Sequence, residues 1–349
     1  MSNMKDFDIK DGVLVKYTGN EEHVAIPDSV TSIGCCAFYG CKGLCSVVIG
    51  NSVTSIEENA FYGCEDLCSV TIGSSVTSIG ENAFYGCKGL SGIVIPSSVT
   101  SIGDWAFNRC KSITVDDNNP AYVSINNCLI ERKTNKLIQG GQCDVIPSNV
   151  TSIGDFAFFD CDNLKSIVIP SSVTSIGKAA FSGCKGLSII VIPNSVTSIG
   201  DEAFFGCDSL KSIVIPNSVT SIGKAVFSGC KGLCRIEIPC SVTSIGDKAF
   251  FGCDSLCSIV IPDSVTSIGY AAFQECESLN SVVIANSVAS IKNWAFSYCT
   301  SLCSIVIPSS VTSIGENVFY GCENPIIFTC AGSYAEEYAK ENEIKVSLI

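Results

Sequence analysis

Apolar and polar positions recur along this chain with a period of 23 residues, and the small polar residues repeat as faithfully as the apolar ones. One unit, Leu164–Gly186, reads LKSIVIPSSVTSIGKAAFSGCKG. Its opening, Leu164-x-x-Ile167-x-Ile169, has the alternation of a short strand that points its apolar side chains inward. Pro170 ends that strand, because proline cannot donate to a sheet ladder, and the chain must turn. Val173, Ile176, Ala180, Phe181 and Cys184 follow at intervals too irregular for a helix face and too wide for one strand. That spacing predicts a coil bending around a core, with Gly177 and Gly183 at its corners.

A coil of 23 residues cannot bury its own apolar face, so stability must come from stacking, at about 4.8 Å per coil in parallel-sheet pairing. The hexapeptide SVTSIG marks the stack. It begins at Ser29, Ser75, Ser98, Ser172, Ser195, Ser218, Ser241, Ser264 and Ser310, with near-copies at Ser52, Asn149 and Ser287. Every interval is 23 residues except Ser98 to Asn149, which holds 28 more. One phenylalanine per copy, from Phe38 and Phe61 through Phe296 and Phe319, should form a single buried ladder. Thr174 and Ser175 should meet their own copies one coil away, which accounts for their constancy.

The full pattern, I-P-x-S-V-T-S-I-G-x-x-A-F-x-G-C-x-x-L, resembles the BspA-like leucine-rich repeat family. The resemblance implies a mainly β solenoid of about twelve 23-residue coils with stacked parallel strands. Residues 1–25 read as a β-hairpin cap, 26–112 as four repeats, 113–146 as an inserted hairpin of the same kind, and 147–324 as eight repeats. Residues 325–349 read as a closing cap, where Ser333-Tyr-Ala-Glu336 is a capping-box pattern that opens a short helix to about Asn342, followed by a strand. For function, the resemblance implies a non-enzymatic surface that binds a host matrix or cell-surface protein. Cell-surface or secreted placement is implied in the same way, yet the start, MSNMKDFDIK, has no apolar signal core, which leaves a cytoplasmic scaffold as the alternative.

Charge narrows the partners. With 34 acidic against 21 basic residues the formal charge is −13, which disfavours nucleic acid and anionic lipid. The apolar runs are too short to span a membrane. A single histidine, His23, and the absence of a glycine-rich phosphate loop leave no catalytic constellation and no expected cofactor. Two remote readings, a spacer and a binder of an ice or mineral lattice through its threonine rows, complete the range.

Twelve of the 23 cysteines share one repeat position, from Cys41 and Cys64 to Cys322, and five follow four residues later, at Cys45, Cys68, Cys234, Cys257 and Cys303. Cysteine as a small buried hydrophobe is the leading reading. Stacked cysteines also fall within the Cα window of a disulfide, although side chains that point in parallel oppose the bond. A zinc site lacks the paired C-x-x-C knuckles it needs. Cys35, Cys36 and Cys240 occupy variable positions and are expected to be exposed.

Positions that vary between coils decorate the surface. Aromatic residues gather there: Tyr39, Tyr62, Tyr85, Phe159, Phe205, Phe251 and Tyr320 just after the ladder phenylalanine, and Trp105, Phe156 and Trp294 two residues before it. These ten are the candidate partner-binding residues, either as an exposed stripe or half-buried between coils. Charge alternates along Asp155, Lys178, Asp201, Lys224 and Asp247, which predicts weak attraction between neighbouring coils.

Overall fold

In the computed structural model, which describes residues 4–141 and 143–349, the chain divides by its internal contacts into two units, residues 1–158 and 159–349. Each is built from the same coil. The Ser-Ile pair of SVTSIG forms a two-residue strand that pairs in parallel with its next copy, as Ser32↔Ser55 and Ile33↔Ile56 in the first unit and Ser175↔Ser198 in the second. A second parallel ladder runs through the I-V-I segment, as Val47↔Val70 and Val282↔Ile305. Between them Pro170-Ser-Ser-Val173 closes a turn in which the Val173 amide donates to the Pro170 carbonyl at 3.1 Å.

One coil's inward set is buried in full: Val242, Ile245, Ala249, Phe250, Cys253, Leu256 and Ile259. The phenylalanines form the ladder their spacing predicts, with parallel rings 5.1–5.6 Å apart from Phe181 to Phe296. Tyr17 continues it at the N-terminal end, stacked on Phe38 at 5.0 Å. The solenoid has about fifteen turns rather than twelve, because three turns are built without the motif. Two of these belong to hairpins. Val13–Tyr17, antiparallel to Phe7–Lys10, sets Val13 and Leu14 beside Ser32 and Ile33. In the insertion Lys136–Gln139, antiparallel to Cys128–Glu131, sets Lys136 and Leu137 beside Ser152 and Ile153. The third closes the second unit, where Ile326–Thr329 pairs with Lys345–Leu348 around the helix Tyr334–Glu341. Ser333 caps that helix by accepting the Glu336 amide, and the Glu336 carboxylate takes the Gly332 amide.

The constant polar residues hold the coils together, though not by meeting their own copies. Thr54, Thr77, Thr197 and Thr243 each donate the hydroxyl to the backbone carbonyl of the threonine one coil earlier, at 3.1–3.2 Å. In several coils the first serine of the motif does the same for the valine one coil earlier, as Ser195 to Val173 and Ser241 to Val219, both at 2.7 Å, whereas the hydroxyls of Ser52, Ser172 and Ser264 are buried without a partner among the described residues. Only the second serine shows the anticipated pairing, Ser32 with Ser55 at 2.9 Å. Each of these threonine carbonyls also accepts the backbone amide of the same threonine, so the hydroxyl adds a second donor to it. The aspartates of the alternating charge row also hold the main chain. Asp201 accepts the Lys224 backbone amide and Asp247 that of Tyr270, both at 2.8 Å, so each aspartate braces the next coil's main chain.

Two positions in every coil adopt left-handed backbone. The residue before Ala-Phe does so in all twelve copies, whether it is Asn59, Ala179, Lys248 or Trp294, and so does the second residue after the ladder phenylalanine. The second is glycine in eight coils and Arg109, Asp160, Glu275 or Tyr298 in the others. Gly183, with φ of 74°, is such a corner, whereas the glycine ending SVTSIG is needed for close approach. A Cβ on Gly269 would lie 2.5 Å from the backbone of Gly246. A non-glycine residue in left-handed backbone costs about 1 kcal/mol or more. Glu275→Gly is therefore expected to stabilise the second unit by about 1 kcal/mol, read as a higher urea midpoint at unchanged slope.

Candidate interaction surface

The ten aromatic candidates do not line up as one stripe. Tyr39, Tyr62 and Tyr85 form a stacked ladder in the first unit, with ring centroids 5.0 Å apart and planes within 8° of parallel. Tyr39 is 59% exposed, while Tyr62 and Tyr85 are half-buried. The ladder stops at the buried Asn108, which takes the same repeat position. Trp105 and Phe156 pack on each other at 4.3 Å, both half-buried, and both carry left-handed backbone.

In the second unit the same position alternates bulky and small. Phe159, Phe205 and Phe251 take turns with the buried Ser182 and Ser228. Phe205 is exposed, and Phe251 is half-buried beneath Lys248, whose Nζ lies 5.7 Å from the ring centroid. Near the end of the unit Tyr320 is exposed and takes two rings edge-on, Trp294 at 5.8 Å and Tyr298 at 5.4 Å. Three separate aromatic groups therefore result: a tyrosine ladder, a Trp105–Phe156 pair, and a Trp294–Tyr298–Tyr320 cluster.

The most exposed apolar surface lies elsewhere, on the outer face of the I-V-I ladder. Val168, Val191, Val214 and Val260 are 59–77% exposed, and Val283 continues their row. Val48 and Val94 occupy the equivalent position in the first unit. The signal was present in the sequence, since a strand that buries both isoleucines of I-V-I must turn the central valine out.

Nine of the twelve ladder cysteines are buried, Cys41, Cys161 and Cys322 being half-buried, and their thiols find acceptors in the neighbouring coil. Cys207, Cys230, Cys253, Cys276 and Cys299 donate to the carbonyl of the ladder phenylalanine one coil earlier, at 3.1–3.2 Å. No disulfide forms among the described cysteines. Burial raises the ladder thiols well above the ordinary value of 9.0 at Cys184, Cys253 and Cys299, and near the C-terminal cap it pushes Cys322 up to about 11. At Cys207 the thiol of Cys230 is the larger cause and burial adds to it. The second set corrects the buried reading: Cys68, Cys234, Cys257 and Cys303 are exposed, because they precede the strand on its solvent side. Cys35, Cys36 and Cys240 are exposed as their variable positions predict. A maleimide at pH 7.5 is expected to modify the eight exposed cysteines readily and the eleven buried ones only after denaturation, counted by intact mass. A native protein that takes up label at all 23 positions at one rate would contradict the ladder. Among the described residues no group of three or more histidine, cysteine or carboxylate side chains is placed to hold a metal ion, and no helix is long and apolar enough to cross a membrane.

A coil with stacked phenylalanine, valine and cysteine ladders, repeated in phase over both units, agrees with the family model for a BspA type leucine rich repeat region, which matches residues 9–134, 144–256 and 222–339. The chain belongs to the BspA-type leucine-rich repeat family. Solved structures agree. A leucine-rich repeat protein from Bacteroides ovatus is 31% identical, with 94% of this chain and 92% of that chain covered and a TM-score of 0.66. One from Eubacterium ventriosum is 27% identical over 89% and 88%, with a TM-score of 0.62. The pneumococcal vaccine antigen PcpA, 18% identical over 94% of this chain and 79% of that one, shares the fold at a TM-score of 0.51. No curated protein matches the chain.

Proposed function

We propose that this protein is a non-enzymatic adhesion module, displayed at a cell surface, which binds an extended segment of a host matrix or cell-surface protein. The observation that carries the reading is the open tyrosine ladder. Tyr39, Tyr62 and Tyr85 are held in parallel on a rigid stack with Tyr39 largely in solvent. Tyrosine is enriched among residues that dominate binding energy, because it offers large amphipathic area at low entropic cost. Membership of the BspA-type family and the solenoid's regular outer surface support a binding role. The net charge of −13 favours ligands with basic or neutral segments.

Immobilised fibronectin, fibrinogen and surface extracts of host cells, probed with the full chain up to micromolar concentration, test the reading. Replacing Tyr39, Tyr62 and Tyr85 together by serine should weaken binding at least tenfold. Serine stands at the same repeat position at Ser182, Ser228 and Ser297, so the coil tolerates it. A uniformly negative screen, or unchanged affinity in the triple variant, would overturn this assignment. Twenty-three free thiols favour a second reading, a scaffold in a reducing compartment. Protease treatment of intact cells separates the two, since only a surface protein is digested.

A further inference from the structure

The valine face of the second unit is unpartnered within the chain, and its composition is self-complementary. Seven consecutive strands build it: Ser166–Val168, Ile189–Val191, Ser212–Val214, Arg235–Glu237, Ser258–Ile261, Ser281–Ile284 and Ser304–Val306. Each presents two side chains outward, one on either side of a buried residue. The first outward row is serine in five of the seven strands, and the second is valine in six. The fourth strand is the exception and the centre. Arg235 and Glu237 stand two residues apart, both exposed, and neither makes an ion pair or a side-chain hydrogen bond among the described residues. Three valine-bearing strands lie on each side of them.

We propose that this face binds a second copy of the chain through a twofold axis parallel to the stacking direction. Such an axis, passing over Ile190, Ile213 and Ile236, faces each strand with its own copy running the other way. The serine row of one copy then meets the valine row of the other, small against large, so the faces interdigitate. At the centre Arg235 meets Glu237 of the second copy, and Glu237 meets its Arg235, giving two symmetric ion pairs. Two strands earlier, Ile189 meets Val191 in the same reciprocal way. A twofold along the strands would instead set valine on valine and leave Arg235 and Glu237 without opposite charges.

Charge complementarity therefore selects both the occupant and the axis. Seven strands about 4.8 Å apart and five residues about 3.3 Å each cover roughly 550 Å² per copy, or roughly 1,100 Å² in total. That is the lower end of specific interfaces, so the dimer should be reversible at micromolar concentration.

Sedimentation velocity on the full chain between 1 and 300 µM tests the proposal. A concentration-dependent monomer–dimer equilibrium is expected. Arg235→Glu alone, or Glu237→Arg alone, should raise the dissociation constant at least tenfold, because each creates two like-charge contacts. Mixing those two variants should restore association as a heterodimer, and the double exchange R235E/E237R should restore the homodimer. A foreign partner on this face would give no such rescue. A wild-type chain that stays monomeric at 300 µM, single variants that dimerise normally, or a mixture that fails to associate would each overturn it. Circular dichroism on every variant separates loss of pairing from loss of fold.

Discussion

In alkali the second unit should lose stability: its urea midpoint should hold up to about pH 8.5 and fall steeply above pH 9. The cause lies in the thiol ladder. Cys184, Cys207, Cys253 and Cys299 are held neutral in the folded unit, with pKa values raised well above 9.0, at Cys207 by the Cys230 thiol and then by burial, at the other three by burial first and neighbouring thiols second. In the unfolded chain they ionise near their ordinary value. Above it the unfolded state binds fewer protons than the folded one, so stability falls with pH. Their contribution is fully present below the unfolded value and is lost as pH rises toward the folded one. Each thiol then contributes at most about 1.4 kcal/mol of loss per pH unit, and four together at most about 5.6 kcal/mol per pH unit. Urea titrations at pH 8 and pH 10.5, under reducing conditions, measure it. Replacing Cys207 and Cys253 by alanine should halve the slope, at the cost of lower stability at pH 8. An unchanged midpoint between those pH values would show that the ladder is open to solvent.

The buried position of these thiols was legible in the sequence, and their hydrogen bonds were not. A residue that recurs every 23 positions between a phenylalanine and a leucine has to lie inside a stack. Why it should be cysteine depends on backbone geometry that no spacing reveals. The Phe204 carbonyl accepts the Cys207 amide in its own coil and the Cys230 thiol from the next. Alanine would fill the space and leave that second acceptor without its donor.

The candidate surface was legible only in part. A recurring apolar position is buried at Phe250 but not along the valine row, because Val214 and Val260 recur as faithfully and yet face solvent. β-Branched residues favour a strand on either face, so an outward column can be constant for local reasons. Of the two arrangements open to the variable aromatics, exposure holds for Tyr39 and half-burial for Trp105 and Trp294. Both sit in left-handed backbone and half-buried, one against Phe156 and the other against Tyr320. The clue to that conformation was Asn59, Asn82 and Asn317 at the same position, since asparagine tolerates left-handed backbone better than most residues.

Removing one ring from the middle of the ladder should do more damage than removing one from its end. Phe227 is fully buried between Phe204 at 5.6 Å and Phe250 at 5.4 Å, with parallel faces on both sides. Phe227→Ala loses the transfer energy of the ring and leaves a cavity whose walls are stacked coils that cannot close independently, a cost of about 3–5 kcal/mol. Phe319 has one parallel neighbour, Phe296 at 6.0 Å, and an edge contact with Tyr338, so the adjoining cap has more freedom to relax. Its alanine variant should cost less, about 2–3 kcal/mol. Position also changes the form of the transition. A solenoid is stable through nearest-neighbour interfaces, so a weak interior coil can uncouple the coils on either side. Urea unfolding of Phe227→Ala should therefore show a lower midpoint together with a reduced slope, whereas Phe319→Ala should lower the midpoint and keep the slope. Equal losses with unchanged slopes in both variants would mean that the unit unfolds as one block, whatever the place of the missing ring.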